Sequence, residues 1–327
     1  MKNINKAMNL APNLEKPDRV PSRDGFGLGL VALGKKNKNI VSLCCDLTDS
    51  TRAAWFKKEF PDRFIEVGVA EQNMAGIAAG LSFSGKIPFI SSYAAFNPGR
   101  NWDQIRVSLC YSEANVKIEG AHAGISVGPD GATHQALEDV ASLRPLPNMT
   151  ILVPCDALEA ERATIAAGIK KGPVYLRFGR EKVPLVTSKK TPFEIGKAYI
   201  YRLGSDVSII ACGIMVYEAL KAADILEKQG ISAMVINNPT IKPLDEKTIV
   251  ATAKKTKAIV TAEEHQVNGG LGGAIAELMS KKYPVPIEMV AVMDRFGESG
   301  QPEELLKKFG LTADDIVKAA KKAVKRK

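Results

Sequence analysis

The sequence predicts an α/β protein of two domains, each a mostly parallel sheet flanked by helices. Three observations carry that prediction. Short apolar, β-rich runs alternate with helix-period patterns almost from end to end, the signature of βαβ units. One stretch, KVPLVTSKKTPF from Lys182 to Phe193, breaks the alternation with prolines, lysines and no periodicity, as a linker would. At 327 residues the chain is long enough for about two domains, each with a substantial core.

In order along the chain, residues 1–20 are polar and contain proline, and form an N-terminal extension. A first domain over 21–181 begins with a helix from Arg23 to Gly34. Its strands are expected at Ile40 to Cys45, Phe64 to Val67, Ile87 to Ser91, Val116 to Glu119, Thr150 to Val153 and Val174 to Phe178, with helices between them. The linker occupies 182–195. A second, smaller domain over 196–327 places strands near Asp206 to Ala211, Ser232 to Asn237, Ala258 to Ala262 and Ile287 to Val292. Its helices are expected at Val216 to Gln229, Glu246 to Lys254, Gly272 to Lys281 and Pro302 to Phe309, ahead of a basic terminal helix.

Hydrophobic residues at 45% and charged residues at 25% describe an ordinary globular protein. No apolar run approaches the ~20 residues of a membrane span, and the N-terminus carries no signal-peptide core, so a cytoplasmic protein is expected. Five scattered cysteines, Cys44, Cys45, Cys110, Cys155 and Cys212, lack metal-ligand spacing and read as reduced core thiols. Much of the net charge of +9 lies between Lys318 and Lys327, with no aromatic residue interleaved. That end reads as a solvated basic helix rather than a nucleic-acid surface, which leaves anionic substrates or an acidic partner.

The chain is organised around FIEVGVAEQNMAGIAAG, residues 64–80. Glu71 lies in the first turn of a helix, where a carboxylate complements the helix dipole. Met74, Ile77, Ala78 and Leu81 make an apolar face, while Ala75, Gly76, Ala79 and Gly80 leave almost no polar surface. The whole helix is therefore expected to be buried, with another backbone close against it. Burial of a carboxyl favours the uncharged acid, the state a proton-relaying catalyst needs.

Three further segments concentrate polar chemistry near expected strand ends, where open α/β folds bind ligands. AHAGISVGPDGATHQALED holds two of the three histidines, His122 and His134, on either side of a Gly-Pro-Asp-Gly turn. Within it, an Asx turn at Asp130 and a helix cap at Thr133 are favoured over functional roles. In CCDLTDS, Asp46 and the hydroxyls compete with a simple N-cap at Thr48 or Ser50. In SSYAAFNPGRNWDQ, Tyr93, Phe96 and Arg100 share a helical face, so core packing competes with Phe96 stacking on a flat ring. The glycine cluster VNGGLGGAIAEL fails dinucleotide spacing, because Ile275 stands where the third glycine belongs and residues 263–268 intervene after the strand. It reads as a packing turn.

The motifs GVAEQNMAGIAAGL, DLTDS, SSYAAFNPGR and HAGISVGPDGATHQ resemble the pyrimidine-binding domain of transketolase and its thiamine-diphosphate relatives. INNPTIKPLDEKTI and VTAEEHQVNGGLGGAIAE resemble the small C-terminal domain of the same family. The resemblance covers nearly the whole chain beyond residue 20. It implies that Glu71 hydrogen-bonds the aminopyrimidine ring nitrogen and drives the tautomer whose imino group deprotonates the thiazolium C2. It implies that Phe96 stacks on that ring with Tyr93 beside it, that Asp46 contacts the cofactor near the thiazolium, and that Ser50 lies at the far end of the substrate channel. His122, Asp130 and His134 would hold the sugar hydroxyls and assist proton transfer. Arg180, or Arg177 if the alignment slips, is similar to the arginine that binds the sugar phosphate.

One departure matters for mechanism. The family needs a Gly-Asp-Gly motif and a downstream Asn to hold Mg2+ or Ca2+ and the diphosphate, and this chain has neither. The resemblance therefore implies the C-terminal half of a split transketolase, transferring a two-carbon ketol unit between phosphorylated sugars. The metal and diphosphate site would lie on a separate N-terminal subunit, and self-association would give an α2β2 heterotetramer. Deoxyxylulose phosphate synthase has Asp-Arg where this chain has Ala121 and His122. The β subunit of a 2-oxo acid dehydrogenase is a separate chain of similar size, but the Thr-His-Gln motif favours transketolase. A non-catalytic scaffold would have no use for Glu71, His122 and His134 together.

Overall fold

The computed structural model describes residues 1–327. In chain order its strands are β1 (Arg19–Pro21), β2 (Ile40–Cys44), β3 (Phe64–Glu66), β4 (Ile87–Tyr93), β5 (Lys117–Ala121), β6 (Thr150–Leu152) and β7 (Val174–Arg177). They continue with β8 (Lys182–Pro184), β9 (Tyr199–Arg202), β10 (Val207–Ala211), β11 (Ala233–Asn237), β12 (Thr240–Lys242), β13 (Ile259–Gln266) and β14 (Ile287–Val292). One sheet has the order β12-β6-β7-β5-β4-β2-β3, parallel except for β12. The other runs β14-β13-β10-β11-β9, parallel except for β9. Every residue of β2, β5, β10 and β11 is buried, which is why these strands read as unbroken rather than alternating patterns.

All ten expected strands are present, with ends displaced by a residue or two except at β13. That strand continues past Ala262 to Gln266 and carries Glu263, Glu264 and His265 toward the first sheet. Four short strands, β1, β8, β9 and β12, escape sequence reading because three or four residues establish no period. Two of them join regions that the sequence separates. β12 pairs antiparallel with β6, so a strand from beyond residue 196 closes the edge of the first sheet. β8, at the start of the expected linker, pairs with β1, and Asp156 accepts hydrogen bonds from Val186 N and Thr187 N just beyond it.

The N-terminal extension is also held. Asn5 N donates to Tyr201 O on β9 at 2.9 Å, and Leu14 is buried in the core beneath the second sheet. The terminal helix Ala313–Lys325 differs from the solvated helix expected. Its Ile316, Val317, Ala320 and Ala323 are buried, while Lys322 pairs with Glu288. No helix is long and apolar enough to cross a membrane.

The first helix, Ser22–Lys36, positions site residues through a close approach to the helix Ala157–Ile169. A Cβ added at Gly25 would stand 1.9 Å from Ala157 O, so only glycine permits this spacing. The glycine cluster of the second domain is a packing turn, as read. Leu271 N and Gly272 N, opening the helix Leu271–Lys282, both donate to the Glu263 carboxylate at 2.7 Å. The chain's own acid fills that helix end.

Candidate active site

In the first sheet β3, β2, β4, β5 and β7 lie side by side and parallel, so the residues after their carboxyl ends converge on one edge. The order supplies, in turn, Glu71 after β3, Asp46 after β2, Tyr93 ending β4, His122 after β5 and Arg180 after β7.

Glu71 begins the helix Glu71–Phe83 and is 1% exposed. Its carboxylate is buried as expected and is paired there. Arg100 Nη1 donates to Oε2 at 2.6 Å and Ser92 Oγ donates to Oε1 at 3.3 Å. The helix is also less buried than expected, because Gln72, Asn73, Gly76 and Gly80 form an open face. A Cβ at Gly76 or Gly80 would meet nothing within 4 Å.

Tyr93, Phe96 and Arg100 do not share a helical face. Tyr93 ends a strand, and residues 94–100 form turns pinned by Asn97, whose Nδ2 donates to Glu119 O at 3.0 Å. The result is a row of rings. The Arg100 guanidinium lies 4.6 Å from the Phe96 centroid, and Phe96 meets His134 edge-on at 5.4 Å. Tyr93 lies 6.2 Å from Phe96 and stacks on His122 at 4.0 Å. Glu71, Phe96, Tyr93, His134 and His122 are thereby brought together through direct neighbours.

His122 adopts φ +51° and is 2% exposed. Burial, reinforced by the Arg23, Arg180 and Arg52 cations, pushes its pKa down to about 3, so the ring is neutral at physiological pH. Arg23 Nη1 lies 3.4 Å from its Nε2, which leaves that nitrogen the acceptor and places the proton on Nδ1. Arg23 also donates to Ser50 O at 2.8 Å. Sequence reading placed Arg23 in a helix without giving it a role. Its one available signal was the Pro-Ser-Arg helix start, which shows nothing of the cationic mouth it joins.

Arg180, one third exposed, donates to Val127 O and to Asp130 Oδ1, each at 3.1 Å. Asp130 therefore pairs with a cation rather than closing an Asx turn, and the Thr133 hydroxyl contacts His134 Nδ1 at 2.8 Å instead of capping a helix. Arg177 is buried elsewhere. Its guanidinium is taken up by Asp139 Oδ2 at 2.8 Å, Glu264 O at 2.9 Å and Ala136 O at 3.2 Å. Gln135, in the same motif as His134, anchors the loop to the second domain by donating to Glu298 O at 2.9 Å.

Asp46 and Ser50 stand at the end of β2, and neither Thr48 nor Ser50 caps the following helix. Thr48 Oγ1 and Asp46 N instead donate to the Glu66 carboxylate at 2.8 and 2.7 Å. Asp46 is exposed and lies outside the row of rings.

Residues 18–186 match the family described as transketolase, pyrimidine binding domain, and residues 196–316 match transketolase, C-terminal domain. A Methanocaldococcus jannaschii chain named as a transketolase C-terminal section is 45% identical, covering 93% of this chain and 96% of its own. A 6-deoxy-6-sulfo-D-fructose transketolase subunit of Clostridium sp. (strain MSTE9) is 44% identical over 93% of this chain and 95% of its own. The transketolase of Rattus norvegicus is 39% identical over 97% of this chain but only 51% of its own length. A solved structure described as a split gene transketolase, inactive beta4 tetramer, superposes with a TM-score of 0.89 at 48% identity, covering 94% of this chain and 99% of that one. This chain belongs to the transketolase family and corresponds to the C-terminal section of a split member.

Proposed function

We propose that this chain is one half of a thiamine-diphosphate-dependent transketolase that moves a two-carbon ketol unit between sugars bearing a terminal anion. The observation that carries the reading is a buried carboxylate, Glu71, beside the Phe96 ring that Arg100 covers, at the carboxyl edge of a parallel sheet. The residues fit the pyrimidine end of the cofactor. Arg100, a flat group with N–H donors, already lies over Phe96 and bonds Glu71, so the same cleft accepts a flat nitrogen heterocycle. When bound, thiamine diphosphate supplies the nucleophilic carbon that takes the ketol unit. Glu71 would hold a proton at the ring nitrogen, Phe96 and Tyr93 would fix the plane of the ring, and Asp46 would contact the cofactor near its thiazolium. His134, half-buried beside Phe96, would serve the reacting end of the sugar and move its proton. His122, neutral, offers hydrogen bonds to the hydroxyls rather than a proton.

Arg23, Arg52 and Arg180 surround His122 closely enough to depress its pKa together. That cationic mouth, with Ser50 and Asp130, suits the far, anionic end of the sugar. A phosphate is the first reading. A sulfonate is the second, favoured by the sulfo-sugar relative. The magnesium or calcium and diphosphate site belongs to an N-terminal partner subunit, and an α2β2 assembly follows if two such pairs associate. The open Gly76 and Gly80 face, flanked by Val69 (69% exposed) and Phe83 (64% exposed), is the surface we assign to a second chain. The lack of any membrane-spanning helix fits a cytoplasmic complex.

The test is reconstitution. This chain mixed with its partner is expected to transfer ketol units from hydroxypyruvate and from ketose phosphates, while the chain alone binds thiamine diphosphate weakly or not at all. Tight, magnesium-dependent binding by the isolated chain would overturn the split-enzyme reading.

A further inference from the structure

Glu71 and Arg100 differ sharply in access. The Glu71 side chain is 1% exposed, whereas the Arg100 side chain that bonds it is 45% exposed. Arg100 therefore forms a lid, and anything that reaches Glu71 must first displace it. The turn beneath is fixed: Arg100 N donates to Phe96 O at 2.9 Å, Asn101 Nδ2 donates to Glu71 O at 3.2 Å, and Asn101 is tied to Asn97 at 3.0 Å. The side chain is held by its bond to Glu71 and its seat on Phe96.

We propose that Arg100 is a placeholder that occupies the aromatic-ring site of this chain, stacking on Phe96 and neutralising Glu71 until a flat, hydrogen-bonding heterocycle replaces it. The inference rests on the reading of Glu71 and Phe96 as the pair that holds the pyrimidine. Arginine suits the role because its guanidinium is planar, charged and rich in N–H donors, so it satisfies the buried carboxylate and covers the ring face at once. A residue that keeps a site closed for most of the time reduces apparent affinity by the fraction of molecules that are open. A lid closed about nine-tenths of the time costs about tenfold.

The full-length chain can be tested directly with 4-amino-5-hydroxymethyl-2-methylpyrimidine, the ring fragment of thiamine, by calorimetry or saturation-transfer NMR. Methylguanidinium serves as a second probe that mimics the displaced group. Arg100→Ala is expected to bind both at least about tenfold more tightly than wild type, with Arg100→Gln between the two. Adding Glu71→Gln to Arg100→Ala should abolish the gain. Equal binding by wild type and both Arg100 variants, still dependent on Glu71, would remove the placeholder and leave the ring site standing. Binding unaffected by Glu71→Gln would remove both. Unchanged far-ultraviolet circular dichroism confirms the fold, which substitution of a half-exposed side chain should spare.

Discussion

The two arginines that sequence reading left interchangeable have separate physical roles, and replacing Arg177 exposes the difference. Arg177 and Asp139 are 6% and 1% exposed, and the pair ties β7 to the carbonyls of Ala136 and, from the second domain, Glu264. Arg177→Met removes the cation and three hydrogen bonds and leaves Asp139 buried with Tyr175 Oη at 2.6 Å as its remaining donor. Breaking a buried pair from one side costs about 3–5 kcal/mol, which for a chain of 327 residues lowers the melting temperature by roughly 4–7 °C. The pH dependence has a definite sign. Burial pushes the Asp139 carboxyl up, but Arg177, with His265 and Tyr175, holds it below its ordinary value. Its stabilisation is therefore present above the unfolded pKa and is lost only as the pH falls through the lower folded value. In Arg177→Met burial prevails, Asp139 favours the protonated acid, and the deficit relative to wild type shrinks as the pH falls from 7 toward 4. Adding Asp139→Leu should recover most of the loss. Arg180→Met, at a half-open pair, is expected to cost no more than about 1 kcal/mol and to raise KM for anionic sugars while sparing hydroxypyruvate. Differential scanning calorimetry at pH 7 and pH 4.5 decides the matter. An Arg177→Met melting temperature within about 1 °C of wild type would refute the reasoning.

Glu71→Gln keeps the shape of the side chain but cannot exchange the ring proton, so turnover of the reconstituted complex should fall ~100- to 10,000-fold with an unchanged circular dichroism spectrum. Wild-type C2 proton exchange of the bound cofactor in that variant would contradict the assignment. Burial raises the pKa of Glu119 well above the ordinary range, against Ser91 and Arg23. Above the unfolded pKa the unfolded chain ionises while the folded one keeps its proton, so wild-type stability is lost as pH rises toward the folded pKa. Glu119→Gln should therefore gain on wild type by up to about 1.4 kcal/mol per pH unit in that window, and an equal difference at pH 4 and pH 8 in urea unfolding would show the carboxyl is not buried and neutral. Gly25→Val drives a side chain into Ala157 O and should cost about 1–3 kcal/mol while displacing the helix that carries Arg23. Unchanged urea midpoint and unchanged KM for sugar phosphates would count against that packing.

By itself the sequence determined the alternation of strands and helices, because buried parallel strands leave unbroken apolar runs such as Ile40 to Cys44 and Val207 to Ala211. It also singled out Glu71, Phe96, His122 and His134, because carboxylate, aromatic and imidazole groups placed after apolar runs fall at one edge of such a sheet. Contacts across long separations were left to the tertiary structure. Arg23 meets His122 across 99 positions, and Ser126 N meets Glu264 across 138, with no local pattern to announce either. Strands as short as β12 and β1 are stabilised by their partners rather than by a period of their own, so the joining of the domains could not be read from one segment at a time. The same holds for charge: side-chain type shows that Glu71 and Arg177 can ionise, but only packing decides that one is covered by Arg100 and the other locked against Asp139.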